Sequence, residues 1–365
     1  MVDCPITGSP DNDPWMLVPD RFNPDGPLWQ LVRSRGSGLV MLDPCPDAAD
    51  MAQHYAHSDY DPFLADHDGP HSPALRSRMR LLARRLLLHY RARLVAAAGM
   101  PLTPDSRLLE IGCAGGELLD ALGCIAGISR NGENSGSSLR GSGSSHRGSG
   151  SSHRGSSCSG NSGSSDSRLF GVEPHPESAA RARNRYGITV HTSLDRVTDP
   201  GSVRGTVHAF DRIIFWHSLE HLHDLDGTLR HAAHLLAPGG SIVIALPCHS
   251  CRAAARYGAG WVAWDAPRHL YHFTPETLTA LLSRHGLRVT RMRPYLPDTL
   301  YNALESTALG LRSGAEGMYW RPFVAYGRAL LAAAVDSALV LARRADPDGL
   351  LCYAIKVGEC CLPAR

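Results

Sequence analysis

The chain has 365 residues, 43% of them hydrophobic and 20% charged, so it has the material for a sizeable core and is not a disordered chain as a whole. A formal net charge of +2, with basic residues that are nearly all arginine, gives no electrostatic reason to expect a nucleic-acid partner. The N-terminus Met1-Val2-Asp3-Cys4-Pro5 lacks a secretory pattern and the ten cysteines fall at irregular spacing, which points to a cytoplasmic, reducing setting without a disulfide framework.

Residues 1–70 are rich in Pro, Asp and Gly with short apolar runs such as Gly38-Leu39-Val40-Met41-Leu42, and read as a small irregular module. Residues 74–99 read as a helix. Leu75, Met79, Leu82, Leu86 and Leu87 recur at helical spacing, and Arg76, Arg80, Arg84 and Arg91 between them read as a solvated face. From 105 to 290 strand-like and helix-like segments alternate. The strands are Arg107–Ile111, Arg168–Val172, Ile188–His191, Phe210–Trp216 and Ser241–Leu246. The helices begin at Glu117, Glu177, Leu225 and, behind the cap Thr274-Pro275, at Glu276. Such alternation predicts a doubly wound, mainly parallel α/β sheet with helices on both faces.

Residues 127–167 interrupt this order with Ser, Gly, Arg, Asn and His, including a Gly-Ser-Gly-Ser-Ser-His-Arg repeat at 141–147 and 148–154. This composition cannot bury enough apolar area to offset its ordering entropy, so a disordered insert is expected. Its His146, His153 and Cys158 read as adventitious rather than metal-binding. Residues 301–365 read as a helical segment followed by a last strand, Leu350–Val357. The longest apolar stretch, Ala329–Ala342, is interrupted by Asp336 and falls short of a membrane span, leaving at most a peripheral membrane contact.

The strongest motif is Leu109-Glu110-Ile111-Gly112-Cys113-Ala114-Gly115-Gly116-Glu117. An apolar strand ends on an acidic residue and turns through small residues into a helix, so that backbone can approach a ligand at the strand's carboxyl edge. A dinucleotide fingerprint would place glycine at 112, 114 and 117. Here 114 is Ala and 117 is Glu, and a carboxylate opening the helix repels pyrophosphate. The spacing Gly112, Ala114, Gly116 suits a nucleoside ligand without phosphates, such as S-adenosylmethionine. Glu173, ending the next strand before Pro174, can accept from both ribose hydroxyls. With the insert removed, it falls near the ~20-residue offset expected of a ribose ligand.

These segments, followed by Phe210–Leu222 with its Leu219-Glu220-His221-Leu222 and by Leu235–Pro247, resemble in this order the class I S-adenosylmethionine-dependent methyltransferases. The stretch Trp261–Thr274, with Pro267-Arg268-His269-Leu270, resembles their ubiquinone-biosynthesis-like branch. The resemblance covers roughly 105–290, within a methyltransferase domain of 71–300. It implies a seven-stranded sheet with one antiparallel strand near its edge, supplied by Leu350–Val357. It also implies the methionine moiety against Gly112, Cys113, Ala114 and Gly116 below Glu110, the ribose on Glu173, and adenine near Ser193-Leu194-Asp195. Ala114 in place of glycine and the long insert depart from the pattern.

Many such relatives begin with two Cys-x-x-Cys pairs around zinc. Here the positions read Cys4-Pro5-Ile6-Thr7 and Ser34-Arg35-Gly36-Ser37, so an eroded ribbon without zinc is expected, and no metal site elsewhere. Cys248-His249-Ser250-Cys251 reads as a coincidence of spacing.

Function follows as transfer of a methyl group to a small-molecule acceptor, on oxygen or carbon of a quinone precursor, a sugar or a lipid-like compound. An inactive methyltransferase-like scaffold and a nicotinamide-dependent oxidoreductase are the alternatives. His217, His221 and His223 cluster after the fourth strand, with His221 the expected base and His217 and His269 further candidates. Arg268 and His269 would belong to a lid over the acceptor, whereas Trp261, Trp264 and Tyr271 would pack that segment on the sheet.

Overall fold

The computed structural model describes residues 2–55, 74–128, 167–197, 210–313 and 321–357. The expected disordered insert lies outside the described residues from 129 to 166.

The N-terminal region carries the strands β1 (Asn12–Val18), β2 (Trp29–Ser34) and β3 (Val40–Leu42), then helices α1 (Ala48–His54) and α2 (Ala74–Ala96). The alternation follows as β4 (Leu108–Ile111), α3 (Glu117–Ala126), β5 (Leu169–Val172), α4 (Pro176–Tyr186), β6 (Thr189–His191), β7 (Phe210–Trp216), α5 (Leu225–Leu235) and β8 (Leu236–Pro247). Next come α6 (Arg252–Tyr257), β9 (Tyr271–His272), α7 (Pro275–Arg284), β10 (Leu287–Pro294), α8 (Pro297–Ser313), α9 (Arg321–Leu341) and β11 (Gly349–Lys356).

Seven strands form one sheet in the order β10-β11-β8-β7-β4-β5-β6. The pairs β8–β7, β7–β4, β4–β5 and β5–β6 are parallel, and β11 runs antiparallel to both its neighbours. The late antiparallel strand is therefore second from the edge, as expected, with β10 outside it. Both faces are covered. Leu225, Leu229, Leu278 and Leu281 of α5 and α7 pack on one side, and Leu118, Leu119, Leu122 and Ala182 of α3 and α4 pack on the other together with Ala92 and Val95 of α2. Strand order reverses between β4 and β7, and in a doubly wound sheet the crevice beyond such a reversal is where ligands bind.

The N-terminal region is more regular than its composition suggested. β1, β2 and β3 form an antiparallel sheet, and β9 completes it, with Val40 opposite His272 and Met41 opposite Tyr271. Val18, Leu31, Val40 and Leu42 of this sheet share a core with Trp261, Trp264 and Leu270. Trp261 and Trp264 are only 1% and 2% exposed. Each indole buries roughly 150–250 Å², worth about 4–6 kcal/mol gross, so this segment is a packed floor rather than a lid that opens.

α9 corrects a second expectation. Pro322–Leu341 is a 20-residue stretch of mean hydropathy 1.6, long and apolar enough by length and composition to cross a membrane. Only 22% of its most apolar stretch is buried, and Phe323, Leu331 and Leu341 are largely exposed. Asp336 does not interrupt the helix. Its side chain is buried and paired with Arg252 at 2.8 Å and Arg256 at 2.7 Å, both on α6.

Candidate functional site

The turn between β4 and α3 is held in left-handed backbone, with φ of +79° at Gly112, +44° at Ala114 and +84° at Gly116. Side chains could not replace two of these glycines. A Cβ on Gly112 would lie 2.6 Å from Cβ of Ser218, and one on Gly116 would lie 2.6 Å from Cδ1 of Ile188. Ser218 donates to the Ile111 carbonyl at 2.6 Å, which ties the end of β7 to the end of β4 directly under the turn. Cys113 is buried over Gly171, and burial pushes its thiol far up, so it serves packing and is not a thiolate.

Glu173 joins this turn. Its Oε2 accepts from the Ala114 amide at 2.9 Å and its Oε1 from the His175 amide at 2.8 Å. Each carboxylate oxygen keeps a second lone pair for a hydroxyl. Burial raises the Glu173 pKa, and the two amides pull it back. Below the turn Glu110 is 4% exposed, and its Oε2 has no hydrogen-bond partner. Burial pushes its pKa up, and the charges of Glu117 and Glu173 push it further, against Arg91. Three carboxylates in mutual electrostatic range favour a cationic ligand over an anionic one. Pro174 is exposed at the end of β5, and Asp195 is exposed in a short 3-10 turn after β6. Among the described contacts none joins Asp195 to the Gly112–Gly116 turn.

Across the crevice, a 3-10 turn at Leu219–His221 follows β7. His217 enters it at φ +50°. Its Nε2 is 3.3 Å from Asp298 of α8 and its Nδ1 is 3.5 Å from Glu220. Burial opposes its charge, but Asp298 and Glu220 outweigh that and hold its pKa at about 10. His217 is therefore an imidazolium at neutral pH and cannot accept a proton, against its expected place among the bases. Burial would raise the pKa of Glu220, yet His217, His221 and His269 hold it at about 2. Burial also keeps His221 and His269 neutral, the latter with a pKa of about 4.

His221 and His269 meet here, with ring centroids 4.6 Å apart, although 47 residues separate them along the chain. Arg268 does not face the crevice. It is fully buried, donates to Asp20 at 2.6 Å and to Asp265 at 2.9 Å, and its pKa is driven up by those two carboxylates against burial. Arg268 thus ties the N-terminal sheet to the segment before β9, and the expected role of orienting an acceptor does not fit it.

Two further residues carry no sequence signal for the site. Arg91 is not on a solvated face: Nε donates to Tyr295 at 2.8 Å, and its guanidinium lies 5.4 Å from the Trp216 ring centre. Tyr55 places its hydroxyl 3.0 Å from Nδ1 of His221. Strain concentrates here as well. Of the four non-glycine residues at positive φ among the described residues, Ala114, His217 and Asp265 bracket the crevice.

A family model described as a methyltransferase domain matches residues 76–291. No curated protein matches the chain. Among solved structures, geranyl diphosphate C-methyltransferase from Streptomyces coelicolor A3(2), bound to S-adenosyl-L-homocysteine, is 14% identical at a TM-score of 0.48, covering 85% of this chain and 97% of its own. An S-adenosylmethionine-dependent methyltransferase from Mesorhizobium loti is 17% identical at a TM-score of 0.40, covering 72% of this chain and 94% of its own. Because the family model spans more than half of the sequence, from α2 through the crevice and into β10, the chain belongs to the methyltransferase-domain family.

Proposed function

We propose that this chain transfers a methyl group from S-adenosylmethionine to an oxygen or carbon nucleophile of a small-molecule acceptor. The observation that carries this reading is the coupling of the Gly112–Gly116 turn to Glu173 through the Ala114 amide. It sets open backbone and a two-oxygen acceptor side by side at the reversal of strand order, beside the carboxylates Glu110 and Glu117. That set fits a nucleoside bearing positive charge and no phosphate. Bound there, S-adenosylmethionine supplies a sulfonium-activated methyl group: the sulfur–carbon bond breaks as the bond to the nucleophile forms, and the electron pair stays on sulfur.

Glu173 would hold the ribose, and the backbone of Gly112 to Gly116 would face the methionine portion. Most of the rate then comes from holding the acceptor in line with that bond. The 219–221 turn and His269 form the opposite wall. A hydroxyl acceptor must lose a proton, and His221, neutral and partly exposed, suits that task where His217 does not.

Calorimetric titration of the purified chain with S-adenosylmethionine, beside Glu173→Ala and with NADH as control, tests the reading. Micromolar binding lost in the variant is expected. Failure of the intact chain to bind would refute the reading, and binding of NADH instead would assign a reductase.

A further inference from the structure

We propose that Glu220, His221 and His269 form a binding site for a divalent transition-metal cation, whose open positions take an oxygen of the acceptor. The inference rests on the functional reading above only for the word acceptor, and it replaces that reading's base: a His221 bound to the cation cannot take a proton, and the cation would instead lower the pKa of a bound hydroxyl. The cation site itself stands on the side chains.

One oxygen of Glu220 and one nitrogen from each imidazole all lie within 4.8 Å of one another. Both imidazoles have their ligand nitrogen selected in advance. Nδ1 of His269 is 2.8 Å from the Ala263 carbonyl, and Nδ1 of His221 is 2.9 Å from the Arg268 carbonyl. A carbonyl can only accept, so Nδ1 carries the proton in each ring and Nε2 keeps its lone pair. Histidine ligands are oriented by this kind of backbone contact in metal sites.

The lone pair of His269 then faces anions. Nε2 of His269 is 4.0 Å from Oε1 of Glu220 and 3.8 Å from Oδ2 of Asp265. An electron pair opposed by two carboxylates with no proton between them is unfavourable unless a cation lies in the gap. Glu220 makes the same point independently. It is 1% exposed, and neither of its oxygens accepts a hydrogen bond. A buried carboxylate so sparsely satisfied is costly, and among the described residues its ion-pair partner within 3.5 Å is His217 through Nδ1. A cation at the centre of the three ligands would satisfy Glu220 and His269 Nε2 together, with an imidazole nitrogen of His221 as the third ligand.

Two imidazole nitrogens and one carboxylate oxygen suit zinc, iron(II), cobalt(II) or manganese(II) better than calcium or magnesium, and three protein ligands leave positions for solvent or substrate. Asp265 is held by Arg21 at 2.8 Å and by Arg268, which leaves it beside the site rather than in it. The site lies on the 3-10 turn two to three residues beyond Ser218, the residue packed against Gly112. A hydroxyl or carboxylate oxygen bound to the cation would therefore approach the donor turn from the acceptor side.

The test uses the full chain stripped with a chelator and titrated with Co2+, read by its visible ligand-field bands and by calorimetry. One equivalent should bind. Glu220→Gln and His269→Ala should each weaken binding by at least about 100-fold. A His146→Ala/His153→Ala double variant should bind as the parent does, which separates this centre from the histidines of the insert. X-ray absorption of the loaded parent should show imidazole ligation and no sulfur, a readout that does not depend on the variants folding. Absence of stoichiometric binding, loss of it in the double variant, or sulfur ligation would overturn the proposal. Co2+ binding without S-adenosylmethionine binding would keep the metal centre and remove the methyltransferase reading, and the reverse pattern would do the opposite.

Discussion

Ala114 donates its amide to Oε2 of Glu173 at 2.9 Å while its own backbone sits at φ +44°, so the strained turn after β4 and the acidic end of β5 form one unit. The carboxylate stabilises a backbone conformation that alanine avoids, and that conformation aims the amide at the carboxylate. A cofactor that engages Glu173 would engage a preorganised turn rather than a loop that must order on binding.

Glu173→Gln should show both halves of this coupling. One of its two terminal atoms becomes a donor and faces an amide N–H, from Ala114 or from His175. The lost bond should cost about 1–3 kcal/mol in chemical denaturation and weaken S-adenosylmethionine binding by about tenfold or more. Ala114→Gly should keep binding and change stability by less than about 1 kcal/mol, because relief of the left-handed strain is offset by greater freedom of the unfolded chain. Unchanged binding in Glu173→Gln would remove the ribose assignment.

Arg268→Met should destabilise the chain by about 3–5 kcal/mol in urea unfolding, since Asp20 and Asp265 stay buried with their main cationic partner gone. The loss should appear in the unfolding midpoint. A variant with an unchanged midpoint and a raised KM would instead restore Arg268 to an acceptor-binding role.

Cys4 hydrogen bonds to Ser37 at 3.1 Å, and Thr7 and Ser34 also approach its thiol. Cys4, Thr7, Ser34 and Ser37 thus meet in space, with hydroxyls at three of the four positions. Thr7→Cys, Ser34→Cys and Ser37→Cys introduced together should create a four-thiolate site that binds one Zn2+ tightly and raises the melting temperature. The parent should show no zinc–sulfur signature. Failure of the triple variant to bind zinc would mean that the positions do not converge tetrahedrally.

Asp348 supplies a pH test away from the crevice. Burial, reinforced by the charges of Asp298 and Asp336, raises its pKa from 3.8 to about 6. The folded state therefore favours the protonated form. The stabilisation is fully present below the unfolded pKa, and it is lost as pH rises through about 6. Asp348→Asn mimics the protonated acid. It should be more stable than the parent by about 2–3 kcal/mol at pH 7, and the gap should close as pH falls towards about 4. A gap independent of pH would show that Asp348 does not titrate in this range.

The antiparallel sense of the late strand came from the family resemblance, whereas the sequence by itself determined the doubly wound sheet, the Gly112–Gly116 turn and the acidic residue Glu173. Each is written locally, in apolar runs of strand length, in small residues at a strand-to-helix turn, or in an acidic residue ending a strand. β10 escaped the reading because Leu287–Pro294 alternates arginines with apolar residues at the sheet edge, where one side of the strand has no neighbour. The regular N-terminal sheet escaped because its fourth strand is only Tyr271–His272, supplied from more than 200 residues away.

Only the tertiary structure decided which histidines titrate, which arginines are buried and which side chains share the crevice. His217 and His221 look alike in sequence, but Asp298 from α8 and Glu220 hold one protonated while burial keeps the other neutral. Arg91 looked solvated until Tyr295 was placed beside it, and His269 met His221 only through packing of the segment before β9. Protonation states and ligand sets depend on distances of a few ångströms between residues far apart in the chain. Local residue patterns carry no record of those distances, so folding alone sets them.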